Sequence, residues 1–213
     1  LESQASLSSL WNMLSSHLQS QDLLIKPRSD GCSSGVVRLQ DPSALEVYAR
    51  YMQQNAARIP AHSLPNQPSP IELPLGCSAF IIEVYQATDT LQVQDKSIVH
   101  QNQSHWHELT VVVTETNGCY HAYWPSITVK KEAILSVEEK FQGGTGINLT
   151  PPPESIIPLA ATKALKSSVE KIAKHLALRD YARLDVFFNA ESQIVTLIEV
   201  NSLPALTPST VLF

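Results

Sequence analysis

The end of the chain carries two carboxylates, a carboxamide and a guanidinium at alternating positions of two predicted strands. They are Arg183, Asp185, Glu199 and Asn201. Because side chains alternate across a sheet, the four share one face when the strands pair. Carboxylate and amide oxygens suit Mg²⁺, which is usually held by few protein groups plus substrate phosphates. The guanidinium suits a phosphoryl group or another oxyanion. The alternative interpretation is a solvated polar face with a surface salt bridge.

The apolar side chains of these strands predict their register. The strands cover residues 182–188 and 194–200, and the predicted pairing of Asn189 with Gln193 leaves a three-residue loop. In the register that places Asp185 opposite Leu197, the other face is almost wholly apolar. It then carries Leu184, Val186, Phe188, Ile194, Thr196, Ile198 and Val200. A shift by one residue scrambles both faces, so this register is the predicted one.

A second candidate for phosphate chemistry lies near the start of the chain. Lys26 ends a short apolar strand and is followed by Pro27 and a loop that contains Gly31 and Gly35. Such a loop offers backbone N–H groups to phosphate, with the lysine as a point charge. It is not a Walker A motif, because the lysine precedes the glycines and no helix follows at once. A surface turn explains the loop equally well.

Helices, strands and hairpins alternate along the chain, which favours an α+β fold. Helices are predicted at residues 6–18, from Pro42 with Asp41 as N-cap, and at 159–176. A strand is predicted at 78–85, and the dipeptide Asn117-Gly118 predicts a hairpin between strands 108–114 and 119–124. Loops are predicted at 60–74, 142–158 and 86–105, the last as an exposed insertion.

Composition excludes several classes of protein. The chain has 213 residues, enough for a sizeable core, and its 43% hydrophobic content excludes a wholly disordered chain. A net charge of -5 makes it a poor binder of nucleic acid, and no apolar run reaches the ~20 residues that cross a bilayer. Three widely spaced cysteines indicate reduced thiols in an intracellular protein. The chain begins at Leu1 without a signal peptide, so we expect a piece of a longer protein.

Taken in order, five segments resemble the ATP-grasp portion of the D-alanine–D-alanine ligase family. They are LIKPRSDGCSSGV, FIIE, HELTVVV, EEKF and ARLDVFF…LIEVNSLPALTPST, spread over residues 20–213. The resemblance implies an α+β ATP-grasp fold whose two subdomains, residues 1–83 and 84–213, enclose ATP. It also implies a ligase that forms D-alanyl-D-alanine through an acyl phosphate for cell-wall peptidoglycan. The N-terminal domain of that family, which completes the first substrate site, is expected outside this sequence.

The resemblance implies a role for particular residues. ATP would contact Lys26, Gly31, Ser33, Glu83, Val84, Tyr85, Glu108 and Lys140. Two Mg²⁺ ions, or Mn²⁺ instead, would be held by Asp185, Glu199 and Asn201. Arg183 and Ser33 would be catalytic, and Arg183 would stabilise developing negative charge. The substrate pocket would include Cys32, Phe141, Ala205 and Thr210.

The chain departs from the family pattern at several positions. Cys32 and Phe141 replace the usual Ser and Tyr, Ala205 replaces a glycine, and residues 84–107 separate two acids that are usually close in sequence. Loss of the hydroxyls favours a hydroxy acid over an amine nucleophile. A D-alanine–D-lactate type of ligase and a catalytically silent ATP-grasp homologue that acts as a binding module therefore stay as alternatives.

The same resemblance predicts partners and location. The partners are ATP, D-amino acids and the N-terminal domain of the same chain, and a homodimer is left open. Neither nucleic acid nor a membrane is expected as a partner. The compartment would be the cytoplasm of a bacterium, or the chloroplast of a plant because the insertions are rich in Ser and Gln.

One apparent metal cluster is rejected on its predicted register. It consists of His105, His107, Cys119 and His121. The Asn117-Gly118 turn pairs Thr114 with His121, which leaves His107 beyond the end of the paired strand. The register therefore separates these side chains, and we do not predict that they bind a metal.

Overall fold

The structure of the chain is a computed structural model that describes residues 2–29, 31, 33–77, 79–94, 97–130 and 147–204. The chain divides into two compact units, Leu1–Tyr85 and Gln86–Phe213, and each has its own hydrophobic core. No helix in the described part of the chain is both long enough and apolar enough to cross a membrane.

The first unit is a small antiparallel sheet covered by two helices. Its elements are α1 (Glu2–Leu18), β1 (Leu23–Pro27), β2 (Val37–Leu39), α2 (Pro42–Gln53), β3 (Arg58–Ile59), β4 (Ile71–Glu72) and β5 (Phe80–Val84). The main sheet has the order β2-β1-β5, and β3 pairs with β4. Alternate residues of β1 are buried, so Leu23 and Ile25 pack with Trp11 of α1 and Tyr48 of α2. The intervening positions, including Lys26, stay accessible.

The predicted start of α2 is confirmed. Asp41 Oδ1 accepts hydrogen bonds from the backbone N–H groups of Ser43 at 2.8 Å and Ala44 at 3.1 Å, and Pro42 opens the helix. These contacts satisfy two N–H groups that have no partner inside the helix. The hydrogen bond from the Ser43 hydroxyl, helped by those from the backbone, lowers the pKa of the Asp41 carboxyl below its usual value.

We expect Asp41→Ala to lower the free energy of unfolding by about 1 kcal/mol at neutral pH, as is typical of a lost N-cap. Because the pKa of Asp41 is lower in the folded state, its charge stabilises the protein above the ordinary pKa of 3.8. That contribution is lost as the pH falls through the folded-state pKa. Urea denaturation at neutral and acidic pH measures this. Asp41→Asn, which keeps a capping oxygen, is the control, and equal losses in both variants would contradict the cap.

In its described residues, the second unit contains two four-stranded sheets and one long helix. Its elements are β6 (Thr90–Gln94), β7 (Ser97–Gln101), β8 (Trp106–Thr116), β9 (Cys119–Ala122), β10 (Ile127–Lys130), β11 (Ile147–Leu149), α3 (Leu159–His175), β12 (Tyr181–Asn189) and β13 (Val195–Asn201). The sheet orders are β11-β10-β6-β7 and β13-β12-β8-β9. The apolar face of α3 carries Leu165, Val169 and Ala173 at helical spacing, and all three are buried in the core. The Asn117-Gly118 hairpin is confirmed, with Thr116 opposite Cys119.

Two loop predictions are wrong in part. Residues 86–105 are not an exposed insertion, because they form the β6–β7 hairpin and Leu91 is 1% exposed in the core. β6 also pairs in parallel with β10, which lies far along the sequence. Residues 142–158 include β11, a further strand of that sheet. These short strands are rich in Gln and Thr, so their sequences lack a clear alternation of apolar and polar residues. A parallel partner strand lies far away in sequence, so no local motif reveals the pairing.

Candidate functional site

The predicted register of the final hairpin is wrong, because the two strands contain a β-bulge. Asp185 lies opposite Glu199 rather than Leu197, and Val186 lies opposite Leu197. The turn is one residue longer than predicted, since the Asn189 N–H donates to the Ile194 carbonyl at 2.9 Å. Ile194 is consequently 54% exposed. The bulge then brings the polar residues of β13 to the side of the sheet that carries Asp185.

The four polar residues of this hairpin form one hydrogen-bonded cluster, which we call the β12–β13 cluster: Arg183, Asp185, Glu199 and Asn201. Arg183 Nη2 donates to Asp185 Oδ2 at 2.9 Å and lies 3.8 Å from Glu199 Oε1. Asn201 Nδ2 donates to Asp185 Oδ2 at 3.3 Å and to Glu199 Oε1 at 3.1 Å. Several carboxylate oxygens therefore converge beside one guanidinium.

The neighbouring strand β8 adds residues to the same face. Thr110 lies opposite Asp185 and donates its hydroxyl to Asp185 Oδ1 at 2.8 Å. Glu108, two positions earlier, is exposed and points to the same side of the sheet. The sequence prediction named Glu108 but missed Thr110. The pairing of β8 with β12 would have identified Thr110, but no local motif marks that pairing.

Burial determines the electrostatics of the β12–β13 cluster. The Asp185 side chain is 16% exposed, and this burial raises the pKa of its carboxyl, although Arg183 and Thr110 oppose the shift. Glu199 is more open, with its side chain 58% exposed. Among the described residues, the buried Arg183 Nε has no hydrogen-bond partner. Oxygen ligands beside an unused guanidinium donor fit Mg²⁺ together with a phosphate.

In the first unit, two residues predicted to bind ATP contact each other. Lys26 Nζ lies 2.7 Å from Glu83 Oε1, across the paired strands β1 and β5. Val84 is 47% exposed. The Tyr85 backbone N–H donates to the Asp22 carbonyl at 2.9 Å, and the Arg38 guanidinium lies 4.1 Å from the centroid of the Tyr85 ring. These contacts fix the end of β5, and the sequence prediction did not include Asp22 or Arg38.

The loop after Lys26 is fixed at its far end by Gly35. Gly35 has φ +66, and a Cβ there would lie 2.9 Å from Pro27 Cγ, so another side chain would be strained. Its N–H donates to the Glu72 carbonyl at 2.8 Å, and its carbonyl accepts from the Tyr48 hydroxyl at 3.0 Å. Within the loop, Ser34 N–H donates to the Gly31 carbonyl at 3.1 Å. The loop that follows Lys26 in sequence therefore contains a hydrogen-bonded turn.

Five predicted site residues lie outside the described part of the chain. They are Cys32, Lys140, Phe141, Ala205 and Thr210. Their roles stay predictions. The structure accordingly describes the residues predicted to bind the metal and most of those predicted to bind ATP, whereas the four residues predicted for the substrate pocket lie outside the described residues.

The chain has the α+β fold of the ATP-grasp enzymes, as predicted. It superposes on D-alanyl-alanine synthetase A from Vibrio cholerae with a TM-score of 0.56 at 16% identity, covering 97% of this chain and 49% of the other. The D-alanine–D-alanine ligase from Bacillus anthracis gives a TM-score of 0.51 at 17% identity, covering 95% of this chain and 49% of the other. Carboxyaminoimidazole ribonucleotide synthase from Aspergillus clavatus, solved with ATP, gives a TM-score of 0.51 at 14% identity, covering 90% of this chain and 36% of the other. The chain thus spans half or less of the length of these proteins.

Residues 80–213 match the family described as the D-ala D-ala ligase C-terminus, and the chain belongs to that family. This membership confirms the resemblance seen in the sequence. No curated protein sequence matches the chain. At these identities the structural likeness establishes the ATP-grasp fold, which is related to that of D-alanine–D-alanine ligases.

Proposed function

We propose that the protein is an ATP-dependent ligase that joins a carboxylate to an amine, with D-alanine as both substrates. The observation that carries the proposal is the β12–β13 cluster, in which Asp185, Glu199 and Asn201 converge beside Arg183. This cluster lies within the segment that matches the ligase family. The product would be D-alanyl-D-alanine, a component of peptidoglycan. Location in a cytoplasm or a chloroplast, and a homodimer, stay predictions.

The reaction begins with transfer of the γ-phosphoryl group of ATP to the carboxylate of the first D-alanine. One carboxylate oxygen bonds to phosphorus and ADP leaves, which gives an acyl phosphate. The neutral amine of the second D-alanine attacks the carbonyl carbon, phosphate leaves, and the amine loses a proton. Positioning and charge stabilisation account for most catalysis in such phosphoryl transfers.

The residues of the chain have distinct tasks in this proposal. Asp185, Glu199 and Asn201 would hold Mg²⁺, which supplies neutralisation of phosphate charge when it is bound. The buried Arg183 Nε–H has no partner within the described ranges, and the guanidinium would donate to the oxygens on which negative charge develops. Lys26 would exchange its contact with Glu83 for a nucleotide phosphate. The second Lys of the proposed phosphate site is Lys140.

The test is a product assay on the full-length protein with ATP, Mg²⁺ and D-alanine. We expect D-alanyl-D-alanine and ADP in equal amounts, and no dipeptide with L-alanine as the control. Nucleotide binding without ADP release, whichever amino acid is supplied, would instead support the catalytically silent binding module.

A specific observation in the sequence favours D-lactate as an additional second substrate. Phe141 lacks the hydroxyl that would orient an attacking amine, and the Cys32 thiol is only a weak donor. A hydroxy acid also needs no deprotonated amine. The altered pocket should therefore discriminate less between the two nucleophiles.

We expect the full-length protein to form some D-alanyl-D-lactate beside the dipeptide. Phe141→Tyr should lower the ester-to-amide ratio by about tenfold, the value of one hydrogen bond. The measurement is the ratio of the two products between about pH 6 and 9, a range over which the neutral fraction of the D-alanine amine rises with pH. Cys32→Ser serves as a parallel variant. Dipeptide alone at every pH, unchanged by either substitution, would contradict control of the nucleophile by these positions.

A further inference from the structure

Three side chains of the second unit converge away from the β12–β13 cluster. Asp89 directly precedes β6, His100 lies in β7 and His107 lies in β8. One potential ligand atom from each lies within 4.8 Å of the other two. We call these residues the Asp89–His100–His107 triad. All three belong to residues 84–107, the segment in which this chain departs from its family pattern.

The carboxylate of the triad is buried and held in one orientation. The Asp89 side chain is 2% exposed. Its Oδ1 accepts from the N–H groups of Gln103 at 2.9 Å and Ser104 at 2.8 Å, and from the Ser104 hydroxyl at 3.1 Å. Burial alone would raise the pKa of Asp89, but these hydrogen bonds lower it below its usual value. Asp89 is therefore an ionised carboxylate, and its Oδ2 lies 3.1 Å from His100 Nε2.

The imidazole of His107 supplies the second observation. His107 is 2% exposed, and its Nδ1 has no hydrogen-bond partner among the described residues. A buried polar nitrogen without a partner costs about 1–3 kcal/mol, so its presence calls for an explanation. Burial lowers the pKa of His107. The charge of Asp89 opposes this shift, whereas His100 and His105 add to it. The neutral imidazole that results is the form that binds metals.

We propose that the Asp89–His100–His107 triad binds one divalent transition-metal ion, with Zn²⁺ as the best match. Two imidazoles and one carboxylate form a donor set that zinc accepts in tetrahedral sites with a water as fourth ligand. His100 Nε2 already lies 3.1 Å from Asp89 Oδ2. Two ligands of a tetrahedral zinc ion lie about 3.3 Å apart, so this pair needs little movement.

The surroundings of the triad would let an ion enter from solvent and would let it link three strands. The His100 side chain is 23% exposed and lies at the open side of the triad, where solvent can reach a bound ion. Because the three ligands come from the start of β6, from β7 and from β8, the ion would tie the β6–β7 hairpin to the long strand. A simple Asp–His hydrogen bond explains His100, but it gives His107 Nδ1 no partner in the part of the chain that the structure describes.

The experiment titrates Zn²⁺ into chelator-treated full-length protein by calorimetry, without ATP or Mg²⁺. His100→Gln is the main variant, because glutamine can still donate to Asp89 but cannot replace the imidazole. Asp89→Asn is the second variant, and His121→Ala, which removes an exposed histidine of β9, is the control. We expect one more equivalent of Zn²⁺ in the wild type and in the control than in the two variants. Removal of a direct ligand should weaken affinity by more than about 100-fold, the upper range for residues that only support a ligand.

A second readout keeps the test independent of the proposed ligase activity. Saturating Zn²⁺ should raise the Tm of the wild type and of Glu199→Ala, but not that of His100→Gln. Circular dichroism without metal shows whether each variant is folded. Equal Zn²⁺ stoichiometry and affinity in the wild type and in folded His100→Gln, or no binding by the wild type, would overturn the proposal.

Discussion

Glu199→Ala is expected to weaken the binding of Mg²⁺·ATP by at least about 100-fold while leaving the protein folded. Glu199 faces Asp185 across the bulged hairpin, and it accepts a hydrogen bond from Asn201 at 3.1 Å. Loss of a direct metal ligand should exceed the 10- to 100-fold effect that is typical of supporting residues. Because the Glu199 side chain is 58% exposed, the stability of the fold should change by less than about 0.5 kcal/mol.

The chain offers a charge-matched control for this substitution. Glu191 lies in the turn of the same hairpin, is exposed, and contributes only its backbone N–H to Asn189. Glu191→Ala removes one negative charge from the hairpin without altering the β12–β13 cluster. Calorimetric titration with Mg²⁺·ATP should show weak binding for Glu199→Ala and unchanged binding for Glu191→Ala. Equal affinity in the wild type and both variants would exclude a metal site at this cluster.

Leu91→Ala is expected to lower the free energy of unfolding of the second unit by about 2–5 kcal/mol. Leu91 is 1% exposed, belongs to the core of this unit and lies opposite Val129 of the parallel partner β10. The substitution would leave a cavity among residues of both sheets and α3, which cannot fully collapse. Urea denaturation followed by circular dichroism measures the loss.

The neighbouring strand provides the control for Leu91. Ile98 lies in β7 and is 44% exposed. Ile98→Ala should cost less than about 1 kcal/mol, since it removes a β-branched residue without opening a cavity. If both variants lost equally little stability, residues 86–105 would be the exposed insertion that the sequence predicted.

The fold class and most elements were predictable because their signals are local. Neighbouring residues in the sequence determine the Asp41-Pro42 start of α2, the Asn117-Gly118 turn and the apolar face of α3. The parallel contact between β6 and β10 depends on residues far apart in sequence. Short strands rich in Gln and Thr do not reveal such a partner.

The sequence placed the four residues of the β12–β13 cluster on one face, as the structure does, but it gave the wrong register. Alternation along each strand was enough to group Arg183 with Asp185, and Glu199 with Asn201. The bulge between Asp185 and Val186 depends on the longer turn, in which Asn189 Oδ1 accepts from the N–H groups of Glu191 and Ser192. That side-chain-to-backbone contact competes with the two-residue alternation, and the alternation alone cannot show it.

The Asp89–His100–His107 triad was missed for a related reason. The sequence analysis considered His107 only with His105, Cys119 and His121, whereas the structure places it beside Asp89 and His100. Their proximity depends on the β6–β7 hairpin, which places Leu91 opposite His100. Since residues 86–105 were interpreted as a surface loop, their side chains were not assigned to a site.

The most direct test of the proposed ligase follows an oxygen atom of the substrate. Full-length protein is supplied with ATP, Mg²⁺ and D-alanine that carries a heavy oxygen isotope in its carboxylate, and the released phosphate is examined by mass spectrometry. Formation and breakdown of an acyl phosphate leaves one substrate oxygen in each phosphate, so we expect one heavy oxygen per phosphate released. Unlabelled phosphate, or label found in AMP instead, would contradict phosphoryl transfer to the carboxylate.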